Sequence, residues 1–186
     1  MFEGVDLLLR RFDYGDIDGI LACLNDVLLH RYLADSVPFP YGFERAEAFV
    51  SEARECFPFV CAIEYEGRFA GAVSLMEKAD VYRANMEIGY WVGRMFWGKG
   101  IASEAIRQMA NVAFREKDIY RLYADVFAGN AASIAALKKN KFVQEGYFPK
   151  SLVKYGALQD CAVYALGRDS WGENREYFRR GNDLYA

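Results

Sequence analysis

Histidine is almost missing from this chain: His30 is the one imidazole in 186 residues. A lone histidine, on a predicted helix, reads as a surface or core residue. It leaves no basis for a zinc site or a Ser-His-Asp triad, and no metal is expected. Cysteine is sparse too. Cys23, Cys56, Cys61 and Cys161 form no C-x-x-C pair and sit among apolar neighbours, which predicts buried free thiols. No uninterrupted apolar run approaches the length of a membrane span, so no membrane partner is expected. The opening residues, Met1 to Asp6, carry acidic groups and no apolar core, unlike a signal peptide. Charge of one sign is scarce as well. A net charge of −3 argues against nucleic-acid binding as the main task, though a local basic patch around a phosphate-bearing cofactor stays open. The expectation is a soluble, cytoplasmic chain.

Apolar residues make up 53% of the sequence, enough for a full core at this length. Their periodicity lays out the elements. Val5 to Phe12 reads as a strand, and Asp16 to Leu29 as a helix carrying Ile17, Ile20, Leu21, Leu24, Val27 and Leu28 on one side. Pro38 and Pro40 force a loop before a second helix, Phe43 to Cys56. Three strands follow, Phe59 to Tyr65, Phe69 to Glu77 and Met86 to Val92, with Glu66-Gly67 as a tight hairpin turn. The best-defined helix runs from Gly98 to about Lys117. Then come a strand at Tyr120 to Phe127, a short helix at Asn130 to Asn140, and strands at Phe142 to Phe148 and Leu158 to Leu166. This predicts one α/β (α+β) domain over residues 1–168, with a mostly antiparallel front half and a βαβ unit behind it. Residues 169–186, with Trp171, Tyr177, Phe178 and Tyr185 among charges, read as a docking helix or a partly disordered tail.

The most informative segment is Trp97-Gly98-Lys99-Gly100-Ile101-Ala102-Ser103, which joins the strand Glu87–Val92 to the long helix. A helix N-terminus presents unpaired N–H groups and partial positive charge, and Gly98 and Gly100 leave no side chain to block close approach. Each charge-assisted N–H···O contact contributes roughly 1.5–3 kcal/mol. Three readings fit: a plain strand-to-helix connection, a nucleotide P-loop over Gly93 to Lys99, or the pyrophosphate site of coenzyme A. The P-loop needs Ser or Thr where Gly100 stands, and it belongs after the first strand of a parallel sheet.

Three stretches are similar to the GNAT acetyltransferase superfamily: Glu87-Ile88-Gly89-Tyr90-Trp91-Val92, Trp97 through Ala105, and Asn130-Ala131-Ala132-Ser133. They resemble most closely its RimJ/RimL-like branch, which acts on ribosomal-protein N-termini. The resemblance implies the GNAT fold: a mixed, mostly antiparallel sheet of about seven strands with about four helices, in the order β-α-α-β-β-β-α-β-α-β-β. It implies acetyl-CoA as cosubstrate, an amine-bearing acceptor, and a homodimer as in many members of that branch. It also implies that the backbone of Tyr90, Trp91 and Val92 bonds the pantetheine arm. Trp97, Gly98, Lys99, Gly100, Ile101 and Ala102 would wrap the pyrophosphate, and Asn130 would touch the pantetheine side. The family signature places Gln or Arg where this chain has Met95, with Arg94 one residue earlier. That departure weakens any side-chain role there but leaves the backbone cradle.

Acetyl transfer to an amine needs a neutral nucleophile, a polarised thioester and a stabilised leaving thiolate. Glu87, beside the predicted cofactor cleft, is the candidate base; the alternative is a solvated or salt-bridged strand carboxylate. Backbone amides near Trp91 and Val92, where that strand splays from its neighbour, would polarise the carbonyl. Ser133, at the third position of a helix capped by Asn130, is the candidate proton donor, with plain polar positioning as its alternative. Many family members carry a tyrosine at the position assigned here to Leu137, and use it as the acid. The resemblance puts the acceptor end around Arg31 to Gly42 and near Lys154 to Gln159; Tyr32, Phe39, Tyr41, Tyr147 and Tyr155 are candidate lining and Asp35 and Glu44 candidate cation partners, with core or rim packing and plain surface charge as the alternatives. The leading function is N-acetylation of a protein or peptide α-amine. A small-molecule amine acetyltransferase and a catalytically silent acyl-CoA sensor are the alternatives.

Overall fold

A computed structural model describes residues 7–179. Seven strands form one sheet in the order β1-β2-β3-β4-β5-β7-β6. They are β1 (Leu7–Arg10), β2 (Val60–Tyr65), β3 (Arg68–Glu77), β4 (Asn85–Val92), β5 (Arg121–Phe127), β6 (Val143–Lys154) and β7 (Ala157–Gly167). Every neighbouring pair is antiparallel except β4 and β5, the two strands joined through the long helix α4 (Ile101–Glu116). Between β1 and β2 lie α1 (Ile17–Leu24), α2 (Val27–His30) and α3 (Phe43–Glu55); α5 (Ala131–Lys139) joins β5 to β6. The chain therefore has the mixed α/β fold its resemblance implied.

Two cores divide the faces of the sheet. On one face α4 buries Ile106, Met109, Ala110 and Ala113 without exposure against Met86, Val73 and Leu122. Burying a side chain of the size of Ile106 or Met109 contributes about 1.5–3 kcal/mol. On the other face α1 and α3 bury Ile20, Ala46 and Val50 against Ala62 and Ala72. That second layer covers only the β1–β3 side of the sheet, so the β4–β5 part of the same face stays open.

The expected helix over Asp16 to Leu29 is in fact two. Asn25 donates to the carbonyls of Leu21 and Tyr41, both at 3.0 Å, and accepts from the Tyr41 amide at 2.8 Å. Asp26 turns extended and caps the amides of Leu28 and Leu29. Both polar side chains offer the backbone partners other than a continuing helix. The expected strand ending at Phe148 also runs on, as β6, to Lys154. Pro149 is tolerated because β6 is an edge strand whose pairing with β7 is interrupted between Phe148 and Leu152. Tyr155 and Gly156, both at positive φ, turn the chain into β7, as Glu66 and Gly67 do between β2 and β3.

After β7, α6 (Arg168–Glu173) and α7 (Arg175–Phe178) lie against α4. Trp171 stacks on Phe114 with centroids 5.4 Å apart, and Phe178 is 1% exposed. Tyr185 and the first residues of the expected opening strand, Val5 and Asp6, lie outside the described residues. Cys23, Cys61 and Cys161 are buried, whereas Cys56, at the end of α3, is exposed; four buried thiols was one too many. His30 is a core residue, held between the Tyr155 hydroxyl at 2.7 Å and the Val37 carbonyl at 2.8 Å. Among the described residues no helix is long and apolar enough to cross a membrane, and no metal-ligating cluster occurs.

Candidate active site

The site begins where β4 leaves β5. The two strands pair only from Asn85 to Glu87 against Arg121 to Tyr123; beyond that, β4 keeps β3 but no longer meets β5. The Gly93 amide donates to the Ala70 carbonyl at 2.8 Å, which sets the alternation of hydrogen bonding along β4. By that alternation Trp91 turns its N–H and C=O to β3, while Tyr90 and Val92 turn theirs into the gap. Of the three residues expected to bond a pantetheine arm through the backbone, two thus face it. The Val92 carbonyl is already taken by the Trp97 indole N–H at 2.7 Å.

A groove of about 630 Å³ runs from this gap over the start of α4 to α5. Trp97, Gly98, Gly100, Ile101 and Ala102 line it. Gly98 and Gly100 both adopt positive φ, +78° and +79°, which is why glycine is needed at each. Gly100 is the N-cap of α4 and carries no side-chain cap, so the first turn keeps free N–H groups aimed at the groove. Lys99 points elsewhere, with its ammonium 5.0 Å from the centre of the Tyr65 ring. Cations that pattern reading missed, Arg31 and Lys139, line the groove instead. Arg94 pairs with Asp26 and fastens α2, and Met95 is exposed beside Arg68. Uncapped amides, two glycines at positive φ and two cations thus lie together at this end of the groove.

A second cavity of about 610 Å³ opens on the uncovered β4–β5 face. Glu87, Trp91, Asp125 and Phe127 line it, alternate residues that share a face of neighbouring strands. The two cavities meet at Tyr32, Leu33, Tyr90, Trp91, Asn130 and Ser133. Asn130 caps α5 by accepting from the Ser133 amide at 3.2 Å, which is the local capping expected of it. The Ser133 hydroxyl lies 2.7 Å from that of Tyr90. Burial pushes the Tyr90 phenol up to about 12, opposed by its hydrogen bond with Ser133.

Glu87 is in the cleft, and its Oε2 is engaged. Lys78 donates to it at 2.6 Å and the Tyr123 hydroxyl at 3.4 Å. The hydrogen bond to Glu87 holds the Lys78 pKa above its ordinary value. Asp125 lies near without a direct bond; partial burial and then the charge of Glu87 raise its pKa, against Lys78 and Arg121. Lys78, Tyr123 and Asp125 were not singled out in the sequence. The alternation along β5 could have placed Tyr123 and Asp125 on one face, but nothing local foretold the lysine.

The second cavity draws Tyr32 to Asp35, Val37 and Lys154 from the two stretches expected at the acceptor end, but most of the side chains singled out there have structural partners. Tyr32 does line both cavities, and its hydroxyl donates to the Gly129 carbonyl at 3.1 Å while accepting from Arg31 at 2.6 Å. Tyr41 is a buried anchor of the loop, 6% exposed. Phe39 and Tyr155 clamp His30, and Tyr147 turns to Asp160 on its own hairpin. Asp35 pairs with Lys154, whose buried ammonium also donates to the Leu33 carbonyl at 2.7 Å. Glu44 sits exposed in the first turn of α3. Leu137 is fully buried, so a tyrosine at that position would enter the core and miss the groove. The groove-facing positions of α5 are Ala131, Ala132, Ser133, Ala135, Ala136 and Lys139.

The acetyltransferase (GNAT) domain family model matches residues 6–143. The chain is 34% identical over 107 residues to the Bacillus subtilis (strain 168) protein described as "Putative ribosomal N-acetyltransferase YdaF", a match covering 58% of each chain. It is 28% identical over 172 residues to the uncharacterized N-acetyltransferase p20 of Bacillus licheniformis, covering 86% of this chain and 92% of that one. In fold it is similar to the structure of RimL, a ribosomal L7/L12 α-N-protein acetyltransferase in complex with coenzyme A. The TM-score is 0.74 at 23% identity, over 90% of this chain and 98% of RimL.

Proposed function

Since the chain belongs to the GNAT acetyltransferase family and is an N-acetyltransferase of that type, we propose that it moves the acetyl group of acetyl-CoA to the α-amine of a protein or peptide N-terminus. The observation that carries this reading is the meeting of the two cavities at Tyr90, Trp91, Asn130 and Ser133, beside the free edge of β4. One cavity suits a long phosphorylated thioester and the other an amine. Their junction is where this reading puts the acyl carbon.

Each group then has a task. Val92 and Tyr90 offer backbone N–H groups to the pantetheine arm, and the same donors can polarise the acyl carbonyl. The first turn of α4 and the glycines before it hold the pyrophosphate. Acetyl-CoA supplies an acyl carbon already activated by its thiol leaving group. Glu87 takes the proton of the incoming nitrogen, directly or through water. Ser133 faces the sulfur as it departs.

The state of Glu87 favours an α-amine over a lysine. An α-amine with pKa near 8 is about a tenth neutral at pH 7, a deficit of about 1.4 kcal/mol. For a lysine-type amine near 10.4 the deficit is about 4.6 kcal/mol. A carboxylate already bonded by Lys78 and Tyr123 through one oxygen suits the smaller demand. The relative described as a ribosomal N-acetyltransferase supports the same class.

The test is thiol release from acetyl-CoA, followed with a thiol-reactive dye, across N-terminal peptides, polyamines and amino-acid amides. Turnover with peptides bearing a free α-amine is expected. Turnover confined to polyamines or amino-acid amides would shift the acceptor to small molecules. Binding of acetyl-CoA without any thiol release would make the chain a sensor.

A further inference from the structure

Tyr90 was assigned a backbone role only, yet its side chain makes the contact that joins the two cavities. From β4 it lies among buried residues of the α4 face, and its hydroxyl reaches across the gap to α5. There it meets Ser133 Oγ at 2.7 Å, with the Ser133 carbonyl farther off at 3.4 Å. The Ser133 amide is already held by Asn130 at 3.2 Å.

We infer that Tyr90 is a positioning residue for the leaving thiol: its phenol donates to Ser133 Oγ, so that the serine's own proton points into the junction where the thioester sulfur departs. This rests on the acetyltransferase reading. Two hydroxyls 2.7 Å apart share one proton between them. The phenol is the more acidic donor and the aliphatic oxygen the better acceptor, so the bond runs from Tyr90 to Ser133. One proton, that of the serine, is then left over for another acceptor.

The reaction balances without moving a proton off the tyrosine. The nitrogen lone pair forms the C–N bond, the C–S bond breaks, and its electron pair goes to sulfur. Ser133 O–H bonds the thiolate as it forms. Sulfur then takes from solvent a proton equivalent to the one nitrogen gives up through Glu87. A thiol has an ordinary pKa of about 8.5. The Tyr90 phenol is pushed up to about 12 by burial, so full transfer from it would be uphill by about three and a half pK units. Tyr90 orients; it is not the proton source.

Double-mutant kinetics test this with the full chain, acetyl-CoA and the best peptide acceptor. Tyr90→Phe removes one oxygen and keeps the ring in the core. It is expected to lower kcat about tenfold and to leave the acetyl-CoA KM within about twofold. Ser133→Ala should lower kcat at least as much, and the double variant should match Ser133→Ala alone. Thermal melting of each variant separates kinetics from folding, and Ser133→Thr, which keeps a hydroxyl, should retain the Tyr90 dependence. Effects that multiply in the double variant, or a Tyr90→Phe enzyme with unchanged kcat, would overturn the positioning role while wild-type turnover upheld the transferase reading. A wild-type protein that acetylates no amine would overturn both.

Discussion

Lys78 Nζ lies 2.6 Å from Glu87 Oε2, so the carboxylate proposed as base enters the cleft already half of an ion pair. Neither partner is fully buried, with side chains 32% and 23% exposed, so solvent screens the attraction. If Glu87 is the base, Lys78→Met should lower kcat/KM about threefold at pH 7, because the ammonium that fixes Oε2 in the cleft is gone. Glu87→Gln should cost about tenfold with an α-amine at pH 7 and little at pH 9, where the amine is neutral by itself. A flat response to both variants would remove Glu87 from the reaction.

Asp125 carries a stability consequence of its own. Its native pKa is raised, first by partial burial and then by Glu87. As pH rises from the ordinary carboxylate range toward the raised value, the native state holds the proton that the unfolded state has lost. Stability therefore falls across that window, and the full penalty is present once the pH has passed the raised value. Asp125→Asn should raise the melting temperature at pH 7, with the gain vanishing as pH drops into the ordinary carboxylate range. A gain independent of pH would assign the effect to packing.

Gly98 at φ +78° has no atom within 4 Å of where a Cβ would stand, so the protein itself has room there. Gly98→Ala should cost roughly 1–2 kcal/mol in backbone strain and still fold. The added methyl and the shifted backbone should raise the acetyl-CoA KM about tenfold. Isothermal titration with coenzyme A checks this, and unchanged affinity would dissolve the cradle.

Trp171 lies beyond residue 168, where the sequence reading ends its domain. Its ring stacks on Phe114 and its indole N–H donates to Asn111 at 3.1 Å. Truncating a buried aromatic costs about 3–5 kcal/mol. Trp171→Ala should lose that much in urea unfolding; a loss below about 1 kcal/mol would make the segment an appendage.

Much of the frame was legible because it is local. The strand Glu87–Val92, the glycine entry to α4 and the Asn130 cap each depend on a handful of consecutive residues. Misreadings were local as well: Asn25 and Asp26 were passed over because apolar spacing continues through them, and the strand ended at Phe148 runs on to Lys154.

The pairings that give the site its chemistry were not legible. Tyr90 meets Ser133 across 43 residues, Tyr32 meets Gly129 across 97, and Tyr123 meets Glu87 across 36. The sequence alone determined most of the elements and the two glycines that lead into α4, through backbone sterics and hydrogen bonds that act over a few residues. Tertiary structure alone decided which hydroxyl, carboxylate and ammonium share a cavity. That depends on strand order, on register and on where β4 parts from β5, and side-chain contact of that kind carries no signature in the spacing of either partner.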